Sequence, residues 1–425
     1  MFFLRAPSGA LEIMPQRRFV KILLMSLFSR REFLAAIPAV QIKRASGRGQ
    51  QYPSEIKRYA DPLTEREVWR LTSPANPHFH PYSYQRFVAR NNSFLLLAGR
   101  REEGIQVFRL ELPSGRLAQL TQGAGIEGYS ICLAPDERSV FFLQSGVLKQ
   151  LSLRTLKERE IYHTEGGWWA TGDMGISADG RHAAVVEMQS ADRVAERKAD
   201  ERLRLQFERR PLCRIRAVEI AKENSWIVTE EKAWIGRPQF RPRRDQLLYC
   251  RIGPWEQLTS RLWLVNLDGK QKQNVRRRQG EEELGPEYWT ADGRLIGYAH
   301  YQSQNGRKAT VRTINPDTRE ERVLTPCTQF WHLRGNANNS AIAGECRSKA
   351  GPNIYVVFPE LQREMTICEH ASSGKAYVLA EDEDPLAAQP RPAFSPDSQW
   401  IYFASDRHGA PAVYRAGVAD MVEKT

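Results

Sequence analysis

Acid–base and metal chemistry need histidines, cysteines or carboxylates grouped at short spacing, and this chain of 425 residues offers few such groups. It has no Gly-rich phosphate loop, no HExxH and no paired CxxC. Cys132, Cys213, Cys250, Cys327, Cys346 and Cys368 are scattered through strand-like segments and read as small buried hydrophobes, with no disulfide pairing deducible from their spacing. One run, HFHPYSYQ from His78 to Gln85, is rich in proton-transfer side chains. It offers His80, Tyr82 and Tyr84 as candidate bases or sugar contacts, and nothing in the spacing selects one. The other chemical resource is cationic. Lys plus Arg outnumber Asp plus Glu by 62 to 50, a formal charge of +12. Such an excess suits nucleic acid, a lipid surface or an anionic small molecule.

The charge is unevenly placed. Residues 1–50 hold nine basic and two acidic side chains, which leaves +5 for the other 375 residues. Ser29-Arg30-Arg31-Glu32-Phe33-Leu34 resembles a twin-arginine export signal, and the apolar run from Phe33 to Val40 that follows is too short to span a bilayer. The expectation is a removable leader and linker over 1–50 and a mature protein that is periplasmic or extracellular. No later stretch approaches the ~20 apolar residues of a membrane helix. The overall balance, 41% hydrophobic and 26% charged, excludes a mainly disordered or collagen-like chain.

Any site must be positioned by the elements of the remaining chain, and these repeat. Seven copies of one unit begin at Phe87, Leu133, Ile176, Phe240, Trp289, Leu333 and Phe394. Each is an aromatic or aliphatic residue, a short Asp/Asn/Gly turn and an apolar run. Clearer copies continue with two more strands, as in RLWLVNLDGKQKQNV from Arg261. Four short strands at a period of about 45 residues predict an all-β, seven-bladed β-propeller over 61–418. The seventh copy ends one strand short. Glu67 to Thr72 supplies that strand from the other end of the chain, being comparable with the strand that ends at Leu120-Thr121. The segment from Ala191 to Arg210 lacks strand alternation and favours a small helical insertion, whose charge run reads as a solvated face. In this frame HFHPYSYQ reads first as an aromatic cluster packed between blades.

Tyr249 to Glu256 (YCRIGPWE), followed by Arg261 to Asn266 (RLWLVN), resembles the most distinctive stretch of the oligogalacturonate lyases. HFHPYSYQ, Pro211 to Arg214, Glu287-Tyr288-Trp289 and Pro392 to Asp406 are similar to further family stretches in the same order. The resemblance runs from about Asp61 to the last strand. It implies a seven-bladed propeller and β-elimination on short galacturonate chains in pectin breakdown. There a base removes the proton next to the carboxylate, while a divalent cation, usually taken as manganese, grips that carboxylate. It further implies an arginine at the place of Arg214 lining the cleft, with Trp255 in the substrate-binding stretch.

The chain departs from the family at its reactive positions. Arg251 stands at the place of the base, Pro286 and Arg391 at places of metal histidines, Gln389 at another, and Leu386 near the ligand glutamine. Pro and Leu side chains cannot bind a cation, and Arg is itself one. No metal cofactor is therefore expected. Two readings follow. In the first, the propeller binds acidic oligosaccharides, with Arg391 doing the cation's neutralising work through a bidentate fork, and cleaves them with or without Arg251, a poor base. In the second, it is a non-catalytic exported propeller of the TolB or WD40-like kind that binds a protein or a saccharide.

Overall fold

The structure, a computed structural model, describes residues 47–101, 104–195, 198–302, 308–346, 351–374, 376–377 and 386–425. The leader expected over 1–50 lies outside the described residues, except for its last four positions. Residues 47–425 form one compact unit.

That unit contains seven antiparallel sheets in chain order, with consecutive strands paired in each, plus a small pair formed by Ala376–Tyr377 and Leu386–Ala387. The innermost strands of successive blades are His78–Phe79, Cys132–Leu133, Trp168–Ile176, Ile235–Phe240, Glu282–Trp289, Phe330–Gly335 and Ala393–Phe394. Five of the seven sequence repeats, at Leu133, Ile176, Phe240, Trp289 and Phe394, start on the last residue of an innermost strand. Leu333 lies near the end of its strand, and Phe87 follows Phe79 after a loop. Both faces of a blade pack against neighbours, so strands such as Phe94–Gly99 are buried at every residue instead of alternating. One inter-blade layer shows the principle: Val186 and Ile215 of the third blade meet Ile235, Leu247 and Tyr249 of the fourth.

The ring closes as the repeats predict. Glu67–Arg70 pairs with Ala412–Gly417, with Val68 opposite Ala416 and Trp69 opposite Arg415. The equivalence to Leu120-Thr121 extends to single bonds. Leu71 N donates to Val413 O at 2.7 Å and Thr72 Oγ1 accepts from Val413 N at 3.0 Å. In the first blade, Leu120 N donates to Val107 O at 2.8 Å and Thr121 Oγ1 accepts from Val107 N at 2.9 Å. Two further strands lie outside the repeat pattern. Lys57–Ala60 adds a fifth strand beyond the closing one, and Gln51–Tyr52 adds a fifth to the first blade. The insertion forms a helix, Ala199–Arg209, flanked by Lys198 and by Arg210 in the left-handed conformation.

Four innermost strands carry register breaks at the same level of the channel. These fall between Ala170 and Met174, Gly236 and Gln239, Leu284 and Glu287, and Phe330 and His332. A bulge of this kind inserts an extra residue and re-aims side chains, here toward the axis of the ring.

Candidate functional site

The bulges open onto a cavity of about 350 Å³, lined by the early residues of the innermost strands and by the inserted helix. From the sequence candidates it gathers Tyr82, Trp255, Gln389 and Arg391. Arg391 is 7% exposed and left-handed (φ 46). Its Nη2 donates to Gln389 Oε1 at 2.8 Å, while its Nε and Nη1 are buried without a hydrogen-bond partner among the described residues. The guanidinium lies 4.0 Å from the ring centre of Tyr129 and 4.5 Å from that of Tyr82. Stacking thus fixes the plane of the guanidinium in the cavity wall.

HFHPYSYQ is the cross-piece that holds this arrangement. Tyr82 stacks on Tyr84 and on Tyr129, with centroids 5.2 Å and 4.8 Å apart. Burial raises both hydroxyls of the pair above the usual tyrosine range, so they are neutral phenols. His80 does not line the cavity. Its ring stacks on Phe87, and its nitrogens lie 2.7 Å and 3.1 Å from the carbonyl oxygens of Pro81 and Pro390. Burial pulls its pKa down to about 4. A neutral ring carries one N–H, so it donates to one of these two carbonyls. Tyr84 reaches Asp173, its hydroxyl donating to Oδ1 at 3.3 Å.

Asp173 is the group that the sequence reading missed. It stands on a bulge, lines the cavity, and burial raises its carboxyl above the usual range despite the opposing Arg237. Gly236 makes room for it, since a Cβ there would collide with Asp173 Oδ2 and with Ile252. Arg237, also left-handed (φ 55) and also on a bulge, adds a second guanidinium to the cavity. Deeper in the wall Arg261 donates to Glu287 at 3.0 Å, and His332 Nδ1 lies 2.6 Å from Glu345, whose buried carboxyl is raised well above the usual range. Arg261 and Glu287 belong to the family-like sequence stretches, whereas Asp173, Arg237 and His332 do not. A period-two reading does not register an extra residue in a strand, so Asp173 and Arg237 carried no signal.

The YCRIGPWE stretch divides between the two sides of its strand. Tyr249 and Arg251 share one side and both meet Glu231, which Arg251 grips at 2.6 Å while lying 4.3 Å from the Trp263 ring centre. Arg251 does not line the cavity, but Ile252, Gly253 and Trp255 do. Trp255 stacks on Tyr301 with centroids 5.5 Å apart. A Cβ on Gly253 would strike the ring of Phe207, so this glycine lets the inserted helix dock. Arg214 is likewise absent from the lining. Its Nε donates to Glu187 at 2.6 Å, its Nη2 donates to Glu165 at 3.0 Å, and it stacks over Trp168. The structure thus brings together Tyr82, Trp255, Gln389 and Arg391, and commits Arg214 and Arg251 to ion pairs elsewhere.

Arg193, Arg202, Arg237, Arg261 and Arg391 outnumber the lining carboxylates of Glu127, Asp173 and Asp200. The cavity favours an anion on this count. A divalent cation does not suit it: Arg391 presents buried N–H donors where a metal ligand would stand, and a guanidinium offers no lone pair. Among the described residues no cluster of three or more His, Cys, Asp or Glu is placed to hold a metal. None of their helices is long and apolar enough to cross a membrane.

Known proteins resemble the chain over nearly the whole of this unit. A family model described as oligogalacturonate lyase matches residues 46–422. The oligogalacturonate lyase of Dickeya dadantii is 26% identical over 88% of this chain and 99% of its own. The oligogalacturonide lyase of Pectobacterium atrosepticum is 27% identical over the same shares. A solved oligogalacturonate lyase in complex with manganese superposes with a TM-score of 0.82 at 27% identity, covering 88% of this chain and 98% of that one. The chain belongs to the oligogalacturonate lyase family.

Proposed function

We propose that the cavity binds the carboxylate of a short galacturonate chain on Arg391 and cleaves the chain by β-elimination without a metal. The observation that carries this is the Arg391 guanidinium in the cavity wall, stacked on Tyr82 and Tyr129, whose Nε and Nη1 have no hydrogen-bond partner among the described residues. The relatives' names supply the substrate class. Asp173 takes the proton from the carbon next to the carboxylate. The electrons of that C–H bond form the carbon–carbon double bond as the bond to the glycosidic oxygen breaks, and that oxygen takes a proton from water in the open cavity. Arg391 and Arg237 stabilise the charge that develops on the carboxylate as the proton leaves. Aromatic walls from Tyr82, Tyr129 and Trp255 suit a sugar ring. The reading includes export, with the twin-arginine stretch at Ser29–Leu34 as the leader.

Digalacturonate tests the proposal, with product followed by the absorbance of the unsaturated uronate. Product is expected to form equally with added manganese and with a chelator, and Arg391→Ala is expected to lower kcat/KM by roughly 100-fold or more. Product that a chelator abolishes would overturn the arginine-based site. Calorimetric binding lost in Arg391→Ala, with no product, would leave a uronate binder. Neither binding nor product would remove both saccharide readings.

A further inference from the structure

The channel has a second mouth. The ends of the innermost strands line another cavity of about 390 Å³, walled by Phe87, Trp289 and Phe394. Tyr84 lines it on one side while its hydroxyl holds Asp173 on the other, so the HFHPYSYQ cross-piece partitions the two. The charged side chains that line the second cavity are Arg86, from the first blade, and Arg334, from the sixth. Neither has a hydrogen bond or an ion pair from its guanidinium to any described residue. The neutral polar groups around them are largely spoken for: Asn336 bonds Ser340 and the Ala341 amide, and Ser395 bonds Asp397.

Two guanidinium forks without a counter-charge, facing one concave space, form half of an ion pair. Burial, opposed by Tyr288 and aided by the charge of Arg86, lowers the Arg334 pKa to about 10. Both residues are half-buried, like charges at one cavity with no ion-pair partner among the described residues. Several arginines elsewhere in this protein are ion-paired, as Arg214 is with Glu187, Arg261 with Glu287 and Arg276 with Glu282. We propose that the second mouth is a binding site for a small oxyanion, a carboxylate or phosphate group held between Arg86 and Arg334, independent of the uronate site at the first mouth.

The test uses the full chain in a buffer free of oxyanions, titrated by calorimetry with sodium galacturonate and separately with inorganic phosphate. In the Arg391→Ala background, which lacks the uronate site, saturable binding of at least one probe is expected, weakened roughly tenfold or more when Arg86→Gln or Arg334→Gln is added. Tighter galacturonate would assign a sugar acid, tighter phosphate a phosphoryl group. Binding that both Gln variants retain, or that Arg391→Ala removes, would overturn the proposal, as would failure of both probes to bind. Melting provides a second readout. In oxyanion-free buffer the Gln variants are expected to melt at or above the wild-type temperature, because each removes an uncompensated charge. A clear fall would show that the charges are satisfied within the protein and would overturn the site.

Discussion

Arg237 and Arg391 both hold a backbone conformation that costs an L-residue roughly 1–2 kcal/mol, and both spend it on the same cavity. Asp173 adds a titratable cost. Its raised pKa means that the folded state favours the protonated carboxyl, so stability is lost as pH rises from the unfolded value of about 3.9 through the higher folded one. Asp173→Asn is therefore expected to gain melting temperature relative to wild type on going from about pH 3.5 to pH 7, while losing elimination. The acid limb of kcat/KM should lie above the ordinary aspartate range, since the base must be ionised; a limb at or below it would assign the proton to another group. At this scale the sequence was legible only where the family resemblance pointed. Gln389, Arg391, Tyr82 and Trp255 came together, whereas Arg251 turned away because strand alternation puts it beside Tyr249, on the Glu231 side.

The inserted helix was legible as a helix, and Glu201, Arg204, Glu208 and Arg209 are exposed as its charge run suggested, but its inner side was missed. Its run of charges suggested a solvated face, but Asp200, Arg202, Leu203 and Gln206 line the cavity. What turns the helix is short-range and specific. Gln206 accepts from Val194 N at 2.9 Å and donates to Asp192 O at 2.8 Å, while Phe207 seats against Gly253. None of these contacts has a sequence period. Gln206→Ala is expected to raise KM severalfold and to speed proteolytic cutting within 191–210, leaving the melting temperature of the ring nearly unchanged, because the helix contributes little to inter-blade packing. A large fall in melting temperature instead would place the helix among the ring's structural elements. The bulges explain the remaining silence of the sequence, since each conceals one or two extra residues inside an otherwise ordinary strand.

At the scale of the whole ring the sequence was most legible, because seven copies of one pattern reinforce one another and Leu71-Thr72 repeats the bonding of Leu120-Thr121. The two extra outer strands escaped notice: Gln51–Tyr52 is too short for a period, and Lys57–Ala60 reads as charged coil. A variant beginning at Gly47 is expected to melt cooperatively like the full chain. One beginning at Ser73 should lose that cooperativity and self-associate through the unpaired edge of Ala412–Gly417, which light scattering would detect. Equal melting of the two would show that the closing strand is dispensable. The closure also sets an order of events during synthesis. Val68 meets Ala416, roughly 350 residues later, so at ordinary elongation rates the first strand waits on the order of twenty seconds to a minute for its partner. Arg66, Glu67 and the Lys57-Arg58 pair flank or occupy that waiting segment, charges of the kind that keep an unpaired strand from meeting another chain first.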